Sequence, residues 1–293
     1  MNKIICRKMS RAGYLPILIA IMLLTGSVVG AETVTWNVAG GSWHDATKWT
    51  PANVPMPADD AVVNGTGTVT VNSDVTISSL TIEGGNTLTL NSGVFLMSLA
   101  GFCKPTLNGS LPVTLHPQET VNWCWAASAQ MVMDYLGHNV SQCTEANTLF
   151  NRTDCCNIDL CPAPIEPPQY DVLGNCLNCA CPGWPQFGKY GFTFQRTSSA
   201  PLTWDQVREQ ISDGSYCKKK PFAFSWGWLG GGGHMMVAKG YLTMAGTNYV
   251  VILDPWGPCV GDERIITYNF YNADPTDHSH WNDYYDVTYT GGK

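Results

Sequence analysis

Basic residues are scarce in this sequence, which has 16 Lys and Arg against 23 Asp and Glu. Four of the basic residues lie in the first 31 positions, which contain no acidic residue, so the rest of the chain has 12 basic and 23 acidic residues. Proteins that bind nucleic acids or anionic membranes generally do so through basic surfaces. The charge balance therefore argues against both kinds of partner. The oligomeric state is left open.

Long apolar runs are also lacking, apart from one near the N-terminus. A basic leader is followed by an apolar run over residues 15–24 and by the small residues 29–31, the pattern of a secretory signal peptide. This run is shorter than the ~20 residues that span a bilayer, which disfavours the alternative of an uncleaved membrane anchor. We predict a signal peptide at residues 1–31 and a mature protein without stable membrane insertion, secreted or located at the cell surface or in the periplasm.

Histidine is scarce, with six residues, whereas cysteine is abundant, with twelve. Cleavage of the leader removes Cys6 and leaves eleven cysteines, an odd number in a chain bound for an oxidising compartment. Ten of them can form up to five disulfides, and one is left over. The ten disulfide candidates are Cys103, Cys143, Cys155, Cys156, Cys161, Cys176, Cys179, Cys181, Cys217 and Cys259.

Seven of these candidates crowd a Pro-rich stretch at about residues 143–181. Cys176 and Cys179 have the spacing of zinc ligands or of a redox pair. However, the stretch contains no histidine, and export implies oxidation. We therefore predict an insertion held by structural disulfides, with no metal and no cofactor. The connectivity does not follow from the sequence.

The composition changes near residue 109. Residues 32–108 are rich in Thr, Val, Gly and Asn, and residues 68–80 align with 87–99 at seven of thirteen positions. Val69/Leu88, Val71/Leu90 and Val75/Val94 occupy equivalent inward positions. Alternating apolar residues between Asn-Ser and Gly-Gly turns predict two 19-residue rungs of short strands behind a cap. This unit resembles autotransporter-type β-solenoid repeats, and a small β-sandwich or hairpin stack is the alternative.

Residues 109–293 show helical patterns followed by strand patterns. An Ala-rich segment predicts a helix over residues 125–136, ended by Gly137. Thr203 and Gln206 form a capping box for a second helix. Five strand patterns follow, over residues 221–228, 234–242, 248–254, 264–271 and 283–290. The whole is typical of the α+β class.

Cys124 lies at the start of the Ala-rich helix, in the sequence "HPQETVNWCWAASAQ". It could be a disulfide partner, a metal ligand or a nucleophile. A helix N-terminus favours the thiolate form of a cysteine. Gln118, six residues upstream, could donate an N–H to a developing oxyanion together with the backbone N–H of Cys124.

Two residues far downstream favour the nucleophile. His234 follows a run of glycines at the start of a strand, and Asp254 ends the next strand pattern. A histidine so placed can take and return a proton, while a carboxylate on a neighbouring strand orients its ring. Trp256 could shield that contact from water. Taken alone, either residue would more often be structural.

The order Gln118, Cys124-Trp125-Ala126, Gly233-His234 and Asp254-Pro255-Trp256-Gly257 resembles the papain-like cysteine protease superfamily, and secreted bacterial papain-fold peptidases in particular, over about residues 110–293. The resemblance implies a papain-like fold, in which a central helix carrying the nucleophile packs on an antiparallel sheet or barrel. It implies that Cys124 is the nucleophile, His234 the general base and acid, Asp254 the orienting residue and Gln118 the oxyanion donor, with Trp125 and Trp256 in support. Asp254 stands where papain has Asn, and Val121 replaces an upstream cysteine of the plant enzymes.

These features together predict a secreted cysteine endopeptidase that hydrolyses protein or peptide substrates through an acyl-enzyme on Cys124. Two alternatives stay open: a papain-fold transpeptidase, amidase or deamidase, and an inactive extracellular binding or adhesion module. The predicted organisation is a signal peptide at 1–31, a solenoid-like unit at 32–108 and a peptidase domain at 109–293.

Overall fold

The structure is a computed structural model that describes residues 32–83, 85–98, 103–157, 161 and 167–291. The predicted signal peptide at 1–31 lies outside the described residues. Within the described part of the chain, no helix is both long and apolar enough to cross a membrane. Contacts divide the described chain into two compact units. The boundary between them in the sequence falls between Lys104 and Pro105.

The first unit consists of short strands. They are β1 (Thr33–Trp36), β2 (Ala39–Ser42), β3 (Trp49–Thr50), β4 (Asp60–Val63), β5 (Thr66–Val71), β6 (Val75–Ile77), β7 (Ser79–Ile82), β8 (Thr87–Leu90) and β9 (Leu96–Ser98), with a 3₁₀ turn at Ala46–Lys48. Most of the pairs are parallel: β1 with β4, β4 with β7, β2 with β5, β5 with β8 and β6 with β9. The core under them is built around Trp36, Trp43 and Trp49.

The sequence repeat is visible in the strand register of this unit. Val69 pairs with Leu88 and Val71 with Leu90, so these strands follow the 19-residue alignment. Val75, however, pairs with Leu96 and not with Val94 as the alignment predicts. The second copy makes an extra turn before its strand, in which the N–H of Val94 donates to the carbonyl of Asn91, and this turn delays the strand.

The second unit combines a few helices with one large sheet. Its helices are α1 (Cys124–Tyr135), α2 (Gln142–Phe150), α3 (Trp204–Ile211) and α4 (Tyr268–Asn272), with a 3₁₀ turn at Phe187–Tyr190. Its strands are β10 (Gly109–Ser110), β11 (Phe192–Arg196), β12 (Phe222–Trp228), β13 (Gly233–Met244), β14 (Thr247–Asp254), β15 (Asp262–Thr267), β16 (Ala273–Asp274) and β17 (His278–Tyr289). The main path of the sheet runs β11-β17-β12-β13-β14-β15, with antiparallel pairs throughout.

Both predicted helices are present. Helix α1 ends at Tyr135, and Gly137, two residues further on, has a φ of +82°, which suits a residue without a side chain. Helix α3 begins with the capping box of Thr203 and Gln206. The prediction of a strand over residues 264–271 is wrong in its second half, where α4 begins. The side chain of Thr267 accepts a hydrogen bond from Phe270 N (3.1 Å) and caps the start of this helix.

Sheet topology sets the position of the candidate residues. Helix α1 packs against β12 and β13, at the centre of the sheet. Because β13 and β14 are antiparallel neighbours, the start of β13 and the end of β14 lie at the same edge. His234 is the second residue of β13, and Asp254 is the last of β14. The fold thus brings His234 and Asp254, which are 20 positions apart in the sequence, into direct contact.

Candidate active site

Cys124 is buried at the first position of α1. The residues before it are held by backbone carbonyls of the cysteine-rich segment: Asn122 Nδ2 donates to Ala180 O (2.9 Å), and Trp123 Nε1 donates to Cys179 O (2.7 Å). Asn122 has a φ of +62°, in the left-handed region that asparagine tolerates. The cysteine-rich segment therefore fixes the approach to the helix N-terminus.

His234 and Asp254 form a buried pair. The Nε2 atom of His234 lies 2.6 Å from Oδ1 of Asp254, and both side chains are completely inaccessible to solvent. The Trp256 backbone N–H donates to the same carboxylate oxygen (2.9 Å). The other ring nitrogen of His234, Nδ1, is buried and has no hydrogen-bond partner among the described residues. Because Nε2 is engaged, Nδ1 is the atom that can exchange a proton with another group.

Burial alone would raise the pKa of Asp254, since it penalises the charged form. The charge and hydrogen bond of His234, then the charge of Arg264 and the Trp256 N–H, outweigh that effect, and the pKa of Asp254 is lowered. The carboxyl group is therefore ionised at neutral pH. It can orient the imidazole ring and stabilise its protonated form.

Aromatic rings enclose His234 on two sides. The Trp256 indole meets the imidazole edge-on, with ring centroids 6.1 Å apart, and Trp228 lies nearly parallel to it at 6.3 Å. Trp281 lies across the backbone of Gly227 and Gly233, where a Cβ atom on either glycine would overlap its indole. The glycines of the β12–β13 hairpin thus provide room for a ring beside the histidine. The glycine run that precedes His234 forms a tight turn, in which Trp228 N donates to Gly232 O (3.0 Å).

Gln118 is buried beside the turn that follows Asp254. Its backbone N–H donates to Pro255 O (3.0 Å), and its carbonyl accepts from Cys259 N (2.9 Å). Its side-chain Nε2 donates to Thr120 O (2.9 Å). A primary amide has two N–H donors, so this contact uses one of them. The turn thus ties Gln118 to the strand that ends at Asp254.

Trp125 packs away from this turn. Its indole lies against Gly183, where a side chain would overlap the ring, and edge-on to Phe150 at the end of α2. Leu149, Phe150 and the segment around Gly183 also line a cavity of about 290 Å³. Trp125 therefore supports the junction between α1 and the cysteine-rich segment, whereas Trp256 supports His234.

Disulfides hold the cysteine-rich segment. Four bridges join Cys143 to Cys156, Cys155 to Cys179, Cys161 to Cys259 and Cys176 to Cys181. Cys176 and Cys179 are thus in different bridges and do not form a redox pair. Among the described residues, Asp154 with Cys155 and Cys179 has metal-ligand spacing, but the two sulfur atoms are bonded to each other. The remaining disulfide candidates, Cys103 and Cys217, are also in disulfides.

The expectation that Cys124 is left over is not met in this structure, because its sulfur is also in a disulfide. The odd count behind the expectation does not apply to this chain. The full chain has twelve cysteines, an even number, and the odd count of eleven applies only after the leader with Cys6 has been removed. The thiol form of Cys124 therefore requires that this bond be opened or never formed.

Two further histidines lie in β17. His278 and His280 are buried, and His278 stacks on Trp226 with ring centroids 3.7 Å apart. His280 Nε2 lies 3.1 Å from Asp283 Oδ1, which also accepts from Tyr271 Oη (2.6 Å). Both histidines pair with the end of β12 that also pairs with His234, and the Trp228 ring lies between His278 (6.0 Å) and His234 (6.3 Å).

Arg264 is a neighbour of the pair that the sequence did not reveal. It lies on β15, opposite Ile252, and its Nη1 atom is 3.3 Å from Oδ2 of Asp254. A single arginine within an apolar strand pattern gives no local signal of its partner. Strand register alone brings it to the carboxylate.

No curated protein matches the chain. A model of the Peptidase_C39 like family matches residues 110–287, more than half of the sequence and most of the second unit. This range contains α1 with Cys124, the buried His234–Asp254 pair and Gln118, the residue types that a cysteine peptidase uses. The chain therefore belongs to the Peptidase_C39 like family, a family of the cysteine peptidase type.

Proposed function

We propose that the protein is a secreted cysteine endopeptidase with a papain-like arrangement, which hydrolyses peptide bonds through an acyl-enzyme on Cys124. The observation that carries this proposal is the buried His234–Asp254 pair. Its Nε2 is engaged by the carboxylate, and its Nδ1 is left for proton transfer. The strand that bears His234 packs against the helix that begins at Cys124.

The proposed reaction begins with proton transfer from the Cys124 thiol to Nδ1 of His234. The thiolate attacks the carbonyl carbon of the scissile peptide, and a tetrahedral oxyanion forms. His234 then donates the proton to the leaving amine, and the carbon–nitrogen bond breaks. A water molecule, deprotonated by His234, attacks the thioester, and Cys124 leaves as a thiolate with the free carboxylic acid as product.

Two N–H groups are suited to stabilise the oxyanion. The backbone N–H of Cys124 is in the first turn of α1, where helix geometry supplies no intrahelical acceptor. The side chain of Gln118 has a second N–H besides the one bound to Thr120. The helix dipole adds a favourable potential for a negative sulfur at the same end.

The reaction requires the thiolate of Cys124, whereas the sulfur is in a disulfide in this structure. Removal of the leader leaves eleven cysteines, which cannot all be paired within one chain. We expect activity after mild reduction, which opens the Cys124 disulfide, and a latent oxidised protein.

The test uses the chain that begins at Glu32, with and without mild reductant, and a mixture of unstructured peptides as substrate. We expect peptide-bond hydrolysis that Cys124→Ala abolishes, with a loss of at least about a thousandfold because nucleophile and base act as a unit. The Cys143→Ser/Cys156→Ser double variant controls for the general effect of losing a disulfide. Hydrolysis that survives in Cys124→Ala would rule out this mechanism.

The same assay separates the alternatives by their products. Added amines captured as new amides would indicate a transpeptidase, and ammonia release without chain cleavage would indicate an amidase or deamidase. If the reduced protein shows no reaction of any kind, the inactive binding or adhesion module is the alternative that remains. Export is proposed from the leader pattern and is compatible with the disulfides, and N-terminal sequencing of material secreted by the cell checks the cleavage after Ala31.

A further inference from the structure

Asp254 brings a full negative charge into a buried site where the papain-like pattern has a neutral Asn. One carboxylate oxygen, Oδ1, is used by His234 and by the Trp256 N–H. In the reactive form, Cys124 is an anion and His234 a cation, so that these three groups have a net charge of −1. A buried net charge is costly unless an opposite charge balances it.

Arg264 supplies the opposite charge at the other oxygen of Asp254. Its Nη1 atom lies 3.3 Å from Oδ2, and its side chain is only 14% exposed. Arg264 also donates from Nε to Asp262 Oδ2 (3.1 Å), but the Asp262 side chain is 59% exposed. Water screens the charge of Asp262, whereas Asp254 is completely buried. Of these two carboxylates, Asp254 therefore has the stronger electrostatic interaction with Arg264.

Among the other charged groups on neighbouring segments, Glu119, next to Gln118, has a buried Oε2 atom without a hydrogen-bond partner among the described residues, and burial raises its pKa. Two others have partners of their own. Lys239, also on β13, is bound to Glu263 (2.8 Å), and His116, on the segment before Gln118, is bound to Asp134 (2.8 Å). The charges that affect the pKa of Asp254 are those of His234 and Arg264. With Arg264 included, the reactive form of the site is electrically neutral.

We propose that Arg264 is a positioning residue of the reaction, whose guanidinium balances the buried carboxylate of Asp254 and so allows an aspartate, in place of an amide, to hold His234. The inference rests on the proposed function and deepens it. Arg264 acts through Asp254 and not on the substrate. It keeps Asp254 ionised, so that Oδ1 accepts from Nε2 of His234 and leaves Nδ1 for Cys124.

The proposal fixes the direction of three effects. Arg264→Gln leaves a net negative site, which disfavours the Cys124 thiolate and favours the His234 imidazolium. In a profile of Cys124 reactivity against pH, the acidic and the alkaline limb should therefore both move to higher pH by about one unit. Asp254→Asn leaves a net positive site and moves both limbs to lower pH. The double variant is neutral again, and its profile returns toward that of the wild type.

The experiment measures the rate of Cys124 alkylation by iodoacetamide against pH, followed by mass spectrometry of the Cys124 peptide. The proteins are the mature wild type, both single variants and the double variant, each after mild reduction. Arg264→Lys keeps the charge and is expected to keep the wild-type limbs. Lys239→Gln removes a similarly buried cation from β13, the strand that bears His234, and is expected to shift neither limb.

Equal shifts from Arg264→Gln in the wild-type and Asp254→Asn backgrounds would overturn the proposal, as would the absence of any shift. If Arg264→Gln alone does not fold, recovery of folding in the double variant supports charge balance, and failure of both overturns it. The proposed function fails separately, through hydrolysis that survives in Cys124→Ala. A reduced wild-type Cys124 without pH-dependent reactivity would overturn both.

Discussion

At the scale of single residues, Glu145 is the most unusual group outside the site. It lies in α2, its side chain is buried, and Oε1 has no hydrogen-bond partner among the described residues. The other oxygen accepts one long hydrogen bond, from Gln186 N (3.4 Å). Burial raises the pKa of Glu145 well above its usual value, and the Gln186 N–H offsets this only in part. The folded protein therefore retains a proton here that the unfolded chain releases.

We predict that Glu145→Gln stabilises the protein at neutral and alkaline pH. A raised folded-state pKa gives stability that is complete below the unfolded value of 4.5 and is lost as pH rises toward the folded value. The loss is about 1.4 kcal/mol per pH unit for one proton. The neutral glutamine does not titrate, so the stability gain should grow with pH above about 4.5 in urea unfolding curves.

Glu263→Gln is the matched control, because the Glu263 side chain is half exposed. It should change the pH dependence little. Parallel stability curves for wild type and Glu145→Gln between pH 5 and pH 8 would contradict the prediction.

The residues that the sequence predicted for the site differ from those it missed in how they are encoded. His234 and Asp254 stand in recognisable local motifs, and the structure brings them within 2.6 Å of each other. Arg264, beside the pair, and Glu145, outside the site, stand in ordinary strand and helix patterns. Strand register and helix packing determine which groups these two side chains contact, and both depend on distant parts of the chain. A local pattern therefore could not identify them.

At the scale of elements, the turn after β14 connects the groups of the site. Pro255 O and Cys259 N bind the backbone of Gln118 from both sides, while Trp256 N binds Asp254. The Cys161–Cys259 disulfide ties this turn to the cysteine-rich segment across 98 residues of sequence. The turn therefore couples the proposed oxyanion donor to the orienting carboxylate.

We predict that the Cys161→Ser/Cys259→Ser double variant hydrolyses peptides about tenfold to a hundredfold more slowly, because small displacements of an oxyanion donor have large kinetic effects. Alkylation of Cys124, which forms no oxyanion, should keep its rate. Steady-state hydrolysis and iodoacetamide labelling measured on one preparation check both statements. The Cys143→Ser/Cys156→Ser variant controls for disulfide loss, and an equal fall in hydrolysis there would contradict a specific role of the turn.

Elements with strong local signals were predictable, and elements defined by their context were not. The capping box of α3 and the Ala-rich run of α1 are complete in a few residues, and both helices are found. Helix α2 was missed because it lies in the cysteine-rich stretch, with a weak apolar pattern. Its start is a single side-chain cap, Ser141, and its end is Asn151 in the left-handed conformation.

At the scale of the whole molecule, the chain contains two units with separate hydrophobic cores. Trp36, Trp43 and Trp49 lie at the centre of the first core, and α1 with β12 to β14 forms much of the second. The four bridges that hold the cysteine-rich segment lie in the second unit, where they close loops of 5 to 98 residues. In the first unit the described cysteine is Cys103, at its end. Stabilisation by disulfides is therefore uneven along the chain.

We predict that strong reduction destabilises the second unit and leaves the first intact. A native disulfide typically contributes about 2–5 kcal/mol, and the longest closed loop, between Cys161 and Cys259, contributes most in a chain-entropy account. Hydrogen exchange followed by mass spectrometry can report each unit separately. Amides of α1 and β13 should lose protection after reduction, whereas those of β1, β4 and β5 should keep theirs, because their core depends on tryptophan packing and parallel pairing. Equal loss of protection in both units would show that the first unit depends on the disulfides as much as the second.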